Sequence, residues 1–402
     1  MSQLKSLSAQ EAAEILGVNL ATLYAYVSRG MIRSEAVGGS KRNRRYNAQD
    51  VQRLKDRKEQ RRNPEKITET ALHFGAPLLD SAITLIADGK LYYRGLDATL
   101  LAQNYIIEQV AALIWLGDLD AEIADFSDST VLPPRCQAVL PNLQDLTTFE
   151  RFQALLPLIA VDDLAAYGRS ISEIVQTGAR ILRYMTAIAA NRESAGIVET
   201  LMPDDPTAAK LINAALILCA DHELNVSAFT ARCVASAEST PYDAVIAGLS
   251  ALKGAKHGGN TELVERLFQD VRAHGNIRIA LASYRKEGAL IPGFGHHLYP
   301  DGDPRGRTLL DMLKAAYPDF EPVTLAENVE KAVFEMSGQY ANIDFALVTL
   351  VNTLNLPRGT AMTLFALGRT IGWIGHVIEQ YGAQAMIRPR ARYIGPPPST
   401  ET

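Results

Sequence analysis

Residues 208–235 read AAKLINAALILCADHELNVSAFTARCVA. The run keeps helical spacing, is far too long for a strand and is apolar over most of its circumference, so it belongs inside a helical stack. The same spacing recurs over 104–116, 171–190, 308–317, 326–339 and 361–381. Strand signals are scarce; one hairpin is predicted where Asp88-Gly89 separates 81–87 from 90–93. The chain is therefore expected to be mainly α. At the centre of the opening run stand Asp221-His222-Glu223, ionisable residues that a helical core avoids.

Three further segments share that peculiarity: His257-Gly258-Gly259, then Gly293-Phe294-Gly295-His296-His297 followed by Asp303-Pro304-Arg305, and Asn342-Ile343-Asp344-Phe345. Four of the seven histidines fall in these segments, which points to an active site distributed along the chain. Glycines after His257 and around His296 let backbone approach a ligand closely, and either histidine can donate to an oxygen. Arg305 offers a fork for a carboxylate. Asp344 sits in an apolar run, where desolvation raises its pKa and makes it a better base. Two donors and one carboxylate can deprotonate carbon beside a carbonyl and stabilise the enol oxygen. Arg369 and Arg388 have no acidic neighbour in sequence and suit an anionic substrate. Taken singly, each residue also fits a cap, a loop or a solvated face. No metal site is expected, since no two ligands share i, i+4 spacing and no cysteine joins them. The glycines of Gly368-Arg369-Thr370-Ile371-Gly372 lack the strand-turn-helix setting of a dinucleotide site.

Composition is that of a globular protein, 47% hydrophobic and 21% charged. The N-terminus has no apolar signal core, and no membrane contact is expected. Cys136, Cys219 and Cys233 are odd in number and read as reduced thiols of a cytoplasmic protein. The net charge of −5 hides a split, because residues 1–63 carry thirteen Lys or Arg against six Asp or Glu. Within them Ser8-Ala9-Gln10-Glu11 has capping-box spacing, Gly17 ends that helix, and Asn19 caps a second one to Ser28, closed by Gly30. Gly38-Gly39 and Lys41-Arg42-Asn43-Arg44-Arg45-Tyr46 suit a hairpin wing, 50–62 a third helix, and 61–64 a linker.

This first segment resembles the MerR and excisionase type of winged helix-turn-helix, through Glu11-Ala12-Ala13, Leu16-Gly17-Val18, Thr22-Leu23-Tyr24, Arg29-Gly30 and Arg45-Tyr46. The resemblance implies DNA contact by Thr22, Tyr24, Tyr26, Arg42, Arg44 and Arg45. A basic, solvated surface or a protein-contact module remains the alternative.

From about residue 67 onward the chain resembles citrate synthase. The motifs that carry this are Asp88-Gly89 with Tyr93-Arg94-Gly95, Ala220 to Asn225, Lys253 to Gly259, Gly293 to Arg305, Asp344-Phe345, Gly368 to Trp373, and Arg388-Pro389-Arg390. The resemblance implies a large helical domain, 64–258 with 356–402, and a small one, 259–355, that closes over the substrates. It implies that Asp344 takes a methyl proton from acetyl-CoA, that His257 hydrogen-bonds the thioester oxygen and that His296 polarises the ketone of oxaloacetate. His222, Arg305 and Arg369 would hold the oxaloacetate carboxylates, with Arg388 supplied by a second subunit of a homodimer. Citrate and CoA would be the products, with no cofactor beyond the acyl-CoA substrate.

The chain departs from the family pattern at Cys219, where a histidine is frequent, and at Asn260-Thr261-Glu262 in place of Ala-Asn-Glu. It departs again at His297-Leu298-Tyr299-Pro300 in place of Arg-Val-Tyr-Lys, and the His-Pro-Met segment expected near 155–163 is absent. These changes leave the acyl donor open, with propionyl-CoA, giving 2-methylcitrate, as the alternative. A second reading is a DNA-binding regulator whose synthase-like body senses an acyl-CoA or a dicarboxylate.

Overall fold

The computed structural model describes residues 6–29, 31–36, 44–48, 50, 51, 54, 55, 79–126, 129–194, 196–202, 204–286, 290–396 and 398. The chain divides into two compact units, Met1–Asp80 and Ser81–Thr402.

In the first unit, helix α1 (Ala9–Leu16) opens on the expected capping box: Ser8 Oγ accepts Glu11 N–H at 3.3 Å, and Glu11 Oε2 accepts Ser8 N–H at 2.7 Å. Gly17, at φ 60°, ends it in the left-handed region that glycine adopts freely. Helix α2 (Leu20–Ser28) starts at Asn19, whose Oδ1 accepts Thr22 N–H at 2.9 Å. Both helices pack on Leu16, Leu23, Ile32, Tyr46 and Val51. Strands β2 (Ser34–Ala36) and β3 (Arg44–Asn47) pair antiparallel, as a wing requires, and β1 (Ser6–Leu7), which sequence reading did not anticipate, adds to the other edge of β3. Gly30, the wing residues Gly38-Gly39 and Lys41-Arg42-Asn43, and the linker at 61–64 lie outside the described residues. Of the helix expected over 50–62, Asp50, Val51, Leu54 and Lys55 are described and are helical.

Among its described residues the second unit is mainly helical, with one small sheet, β4 (Thr84–Ala87), β5 (Lys90–Tyr93) and β6 (Leu96–Asp97). Asp88 at φ 51° and Gly89 at φ 73° form the positive-φ turn that a two-residue hairpin demands. Helix Thr360–Ala383 runs through the core, packed on helices Ile171–Ala190, Pro206–Cys219, Val226–Ala235 and Pro241–Leu252. Among the described residues it alone is long and apolar enough to cross a membrane, but 94% of that window is buried within the protein. Glycines allow its close approach, since a Cβ on Gly368 would lie 2.4 Å from the Leu216 carbonyl oxygen and one on Gly372 2.4 Å from that of Ala220.

One expected helix starts late and another is broken. Of residues 104–116, helix Ile107–Leu116 covers all but the first three, and helix Ala98–Asn104, which sequence reading did not anticipate, precedes it across a break at Tyr105-Ile106. Asn213 fixes the break, accepting Ile107 N–H at 2.9 Å and donating to the Tyr105 carbonyl at 2.8 Å. Residues 208–235 divide into helices Pro206–Cys219 and Val226–Ala235, because Glu223 takes φ 52° and Asn225 caps the second helix. The stretch 126–161, whose pattern was mixed, contains helices Pro134–Val139 and Thr148–Ala160.

Candidate active site

The break after Cys219 places His222. Its backbone lies in the corner between two buried helices, and its Nε2 is 3.0 Å from Tyr299 Oη. His296 meets it edge-on, ring centroids 5.2 Å apart. Just before the corner, Asp221 is fully buried and accepts Thr84 Oγ1–H at 2.6 Å, with His376 Nε2 3.3 Å away on its other oxygen. Burial opposes ionisation of Asp221, but His376, Arg369 and the Thr84 hydroxyl together outweigh it and hold the carboxyl below its usual range.

His257 follows helix Pro241–Leu252 on a tight turn and is held through Ser227. Ser227 Oγ lies 2.9 Å from His257 Nε2 and 2.7 Å from Asn225 Oδ1, and accepts Trp373 Nε1–H at 3.1 Å. Asn225 Oδ1 also accepts two backbone amides, so it is an acceptor there. The one Ser227 proton therefore serves either Asn225 or His257 Nε2. In the second setting His257 carries its proton on Nδ1 and can donate elsewhere.

Asp303 and Arg305 form a buried two-point ion pair, and helix Pro304–Ala316 begins there. Arg369, on the central helix, donates from Nε to the Cys219 carbonyl at 2.8 Å, while its Nη2 is buried without a partner. Its guanidinium lies 5.1 Å from the Phe365 ring centroid, and Phe365 in turn meets His257 edge-on at 6.2 Å. Asp344 is the second residue of helix Ile343–Thr353, capped by Asn342. Asn260 Nδ2 donates to its Oδ2 at 2.9 Å, and its Oδ1 is buried and unpaired.

The electrostatics tie these groups together. Burial, then Arg305, His296, Arg369 and His257, push His222 well below the ordinary imidazole value. Burial and then the arginines bring His257 to about 4, and burial with Arg305 brings His296 to about 4. All three rings are thus neutral hydrogen-bonding groups at neutral pH. Burial pushes Asp344 up to about 6, against Asn260, Arg305 and Arg369, which lower it. A cavity of about 190 Å³ opens beside His296, Tyr299 and Asp303. Six of the seven residues singled out in the body are brought together in this way; Arg388 lies apart, exposed in the segment after the last helix. Among the described residues no group of three His, Cys, Asp or Glu is placed to hold a metal ion.

Such a cluster can support carbon-acid chemistry beside an anionic group. Residues 73–390 match the family described as citrate synthase, C-terminal domain. The chain belongs to the citrate synthase family. It is similar to citrate synthase 2 of Bacillus subtilis, 28% identical over 353 residues covering 80% of this chain and 95% of that one. It is also 29% identical over 343 residues to 2-methylcitrate synthase of Shewanella oneidensis, covering 78% and 91%. The crystal structure of citrate synthase from Thermotoga maritima matches with TM-score 0.68 at 26% identity, over 82% of this chain and 96% of that one. This citrate synthase family member is accordingly an acyltransferase-type enzyme of the citrate and 2-methylcitrate synthase kind. Residues 6–59 match a helix-turn-helix domain.

In this family member, Ser227 behind His257 gave no signal in the sequence as a site residue, and Trp373 entered only as the end of the Gly368 to Trp373 motif. In the helix-turn-helix unit, Tyr24 is exposed on α2 and Arg44 and Arg45 are exposed on β3. Tyr24 and Arg44 both lie within electrostatic reach of the Tyr46 hydroxyl. Thr22 turns its hydroxyl back on Asn19 at 2.9 Å, and Tyr26 is half-buried against the unit's core. Arg42 lies outside the described residues.

Proposed function

We propose that the protein condenses acetyl-CoA with oxaloacetate and releases citrate and CoA. Asp344 takes a proton from the acetyl methyl group, and His257, with its proton on Nδ1, donates to the thioester oxygen as it becomes an enolate. The enolic carbon attacks the ketone carbon of oxaloacetate while His296 donates to the ketone oxygen, forming the C–C bond of a citryl thioester. Water then cleaves the thioester. Arg305, Arg369 and His222 hold the oxaloacetate carboxylates, and neutral donors in a dry site contribute on the order of 3–4 kcal/mol each to the transition state. Residues 259–355 act as a small domain that closes over the substrates. Arg388 serves the site of a second subunit in a homodimer. No cofactor beyond the acyl-CoA is needed, and three free thiols suit a cytoplasmic location.

One observation carries this reading: a buried carboxylate raised to about 6 shares one electrostatic neighbourhood with two arginines, one of them with an unpaired buried Nη2. That is a base beside an anion clamp. Propionyl-CoA is the alternative donor, because one methylene alters discrimination by only about 1–3 kcal/mol. The test is thiol release from each donor with and without oxaloacetate, run beside Asp344→Asn. Release that needs oxaloacetate and vanishes in the variant supports the reading and ranks the donors; no release from either donor removes it.

A regulatory reading is favoured by the exposure of Tyr24, Arg44 and Arg45 on the helix-turn-helix unit, with Tyr24 and Arg44 both within electrostatic reach of the Tyr46 hydroxyl. A synthase that also binds DNA satisfies both observations.

A further inference from the structure

Asn260 opens helix Asn260–His274, directly after the His257-Gly258-Gly259 turn. That turn has no slack. A Cβ on Gly259 would meet the carbonyl oxygens of Lys253 at 2.6 Å and Gly254 at 2.9 Å, and one on Gly258 would meet the Leu252 side chain at 2.7 Å. Asn260 N–H donates to the His257 carbonyl at 3.1 Å, so the two residues ride on one rigid piece. From it the Asn260 amide reaches across to a different helix and donates to Asp344 Oδ2 at 2.9 Å. Asp344 Oδ1, buried and unpaired, is left as the carboxylate's open acceptor. An unmet buried oxygen costs free energy and persists where a further group meets it in function.

Resting on the synthase reading, we propose that Asn260 is a positioning residue for Asp344: its amide holds Oδ2 and leaves Oδ1 as the oxygen that takes the proton from the acyl carbon. A carboxylate free to rotate about its last bond presents either oxygen in several orientations, whereas one pinned at Oδ2 presents Oδ1 in one. Because Asn260 and His257 share a turn, the oxygen that accepts the proton is indexed to the ring that steadies the enolate. The same bond acts against burial, and the other groups facing Asp344, the charges of Arg305, Asp303 and Arg369 and the neutral Cys219 thiol, stay in place when the amide is removed.

The test uses the full chain. Asn260→Ala deletes the donor, and the near-isosteric Asn260→Asp keeps the shape while setting a second acid beside Asp344. Infrared difference titration follows the Asp344 carboxyl, with Asp344→Asn identifying its band. In parallel, the pH dependence of oxaloacetate-dependent thiol release is recorded. The proposal expects the titration and the acid limb of activity to rise together, by about one pH unit in the alanine variant and further in the aspartate variant. It also expects kcat above the limb to fall about tenfold in Asn260→Ala. An infrared titration unmoved in both variants overturns the proposal whatever the activity. So does a titration that moves while the limb of an active enzyme does not. If the unmodified protein releases no thiol, the synthase reading falls, and the infrared arm alone decides whether Asn260 governs Asp344.

Discussion

Asp303 grips Arg305 with both carboxylate oxygens, accepting Nε–H at 3.0 Å and Nη2–H at 2.8 Å in a pair almost wholly buried. The same carboxylate accepts Ile343 N–H at 3.2 Å, tying the start of one helix to the helix that bears Asp344. Removing one partner leaves the other as an uncompensated buried charge. Asp303→Ala is expected to cost about 3–5 kcal/mol in urea unfolding, and Asp303→Asn, which keeps one accepting oxygen, less. Burial opposes ionisation of Asp303, but the charge and hydrogen bonds of Arg305, with His296, together outweigh it, so the carboxyl is held below its usual value. Its contribution is full above the unfolded value near ~3.9 and is lost as pH falls through the depressed folded value. Asp303→Asn should flatten that acid limb of stability.

Asp344 runs the opposite way. Burial raises its carboxyl to about 6, so the folded state binds a proton that the unfolded chain has released, and ionisation at neutral pH costs stability. Asp344→Asn is expected to raise stability at neutral pH by about 1–3 kcal/mol while abolishing oxaloacetate-dependent thiol release. Activity of the unmodified protein should fall as pH drops through about 6, where the base becomes protonated. Thermal unfolding beside a pH–rate profile checks both. An inactive variant that is less stable than the parent counts against a desolvated base.

Features that depend on a few adjacent residues were legible in the sequence. The Asp88-Gly89 turn, the Ser8 box and the Gly17 stop each follow from backbone preferences within four residues. The breaks were not legible, because spacing reports which side of a helix is buried, and residues on both sides of the corner at Glu223 are buried. The break at Tyr105-Ile106 depends on Asn213, more than a hundred residues away in sequence. In the site, His222, His257, His296, Arg305, Asp344 and Arg369 stood out as ionisable groups in apolar surroundings. Asn260 entered only as a departure from Ala-Asn-Glu, and Ser227 had nothing to mark it. Their roles come from partners on other helices, which only the fold brings near.

Arg44 and Arg45 sit exposed on β3 of the helix-turn-helix unit. If they neutralise phosphates, the slope of log affinity against log salt should lose about one for each arginine replaced by alanine, with little change between DNA sequences. Tyr24→Ala, on α2, should instead weaken discrimination between sequences. Fluorescence anisotropy over a salt series measures both. Failure of the unmodified protein to bind DNA at low salt removes the regulatory reading and leaves the synthase reading untouched.

The last prediction concerns Ser227, which meets three side chains through one hydroxyl. Its proton serves Asn225 in one setting and His257 Nε2 in the other, and only the second leaves a proton on His257 Nδ1 for the thioester oxygen. Ser227→Ala removes both settings. It also leaves Trp373 Nε1–H buried without an acceptor, an expected loss of about 1–3 kcal/mol in stability. Catalytically, His257 is no longer constrained to one tautomer, so kcat should fall by about tenfold or more while KM for oxaloacetate, whose clamp is elsewhere, changes little. Ser227→Thr keeps the hydroxyl and should restore part of kcat. A KM that rises as much as kcat falls in Ser227→Ala would place Ser227 in substrate binding rather than in setting the tautomer of His257.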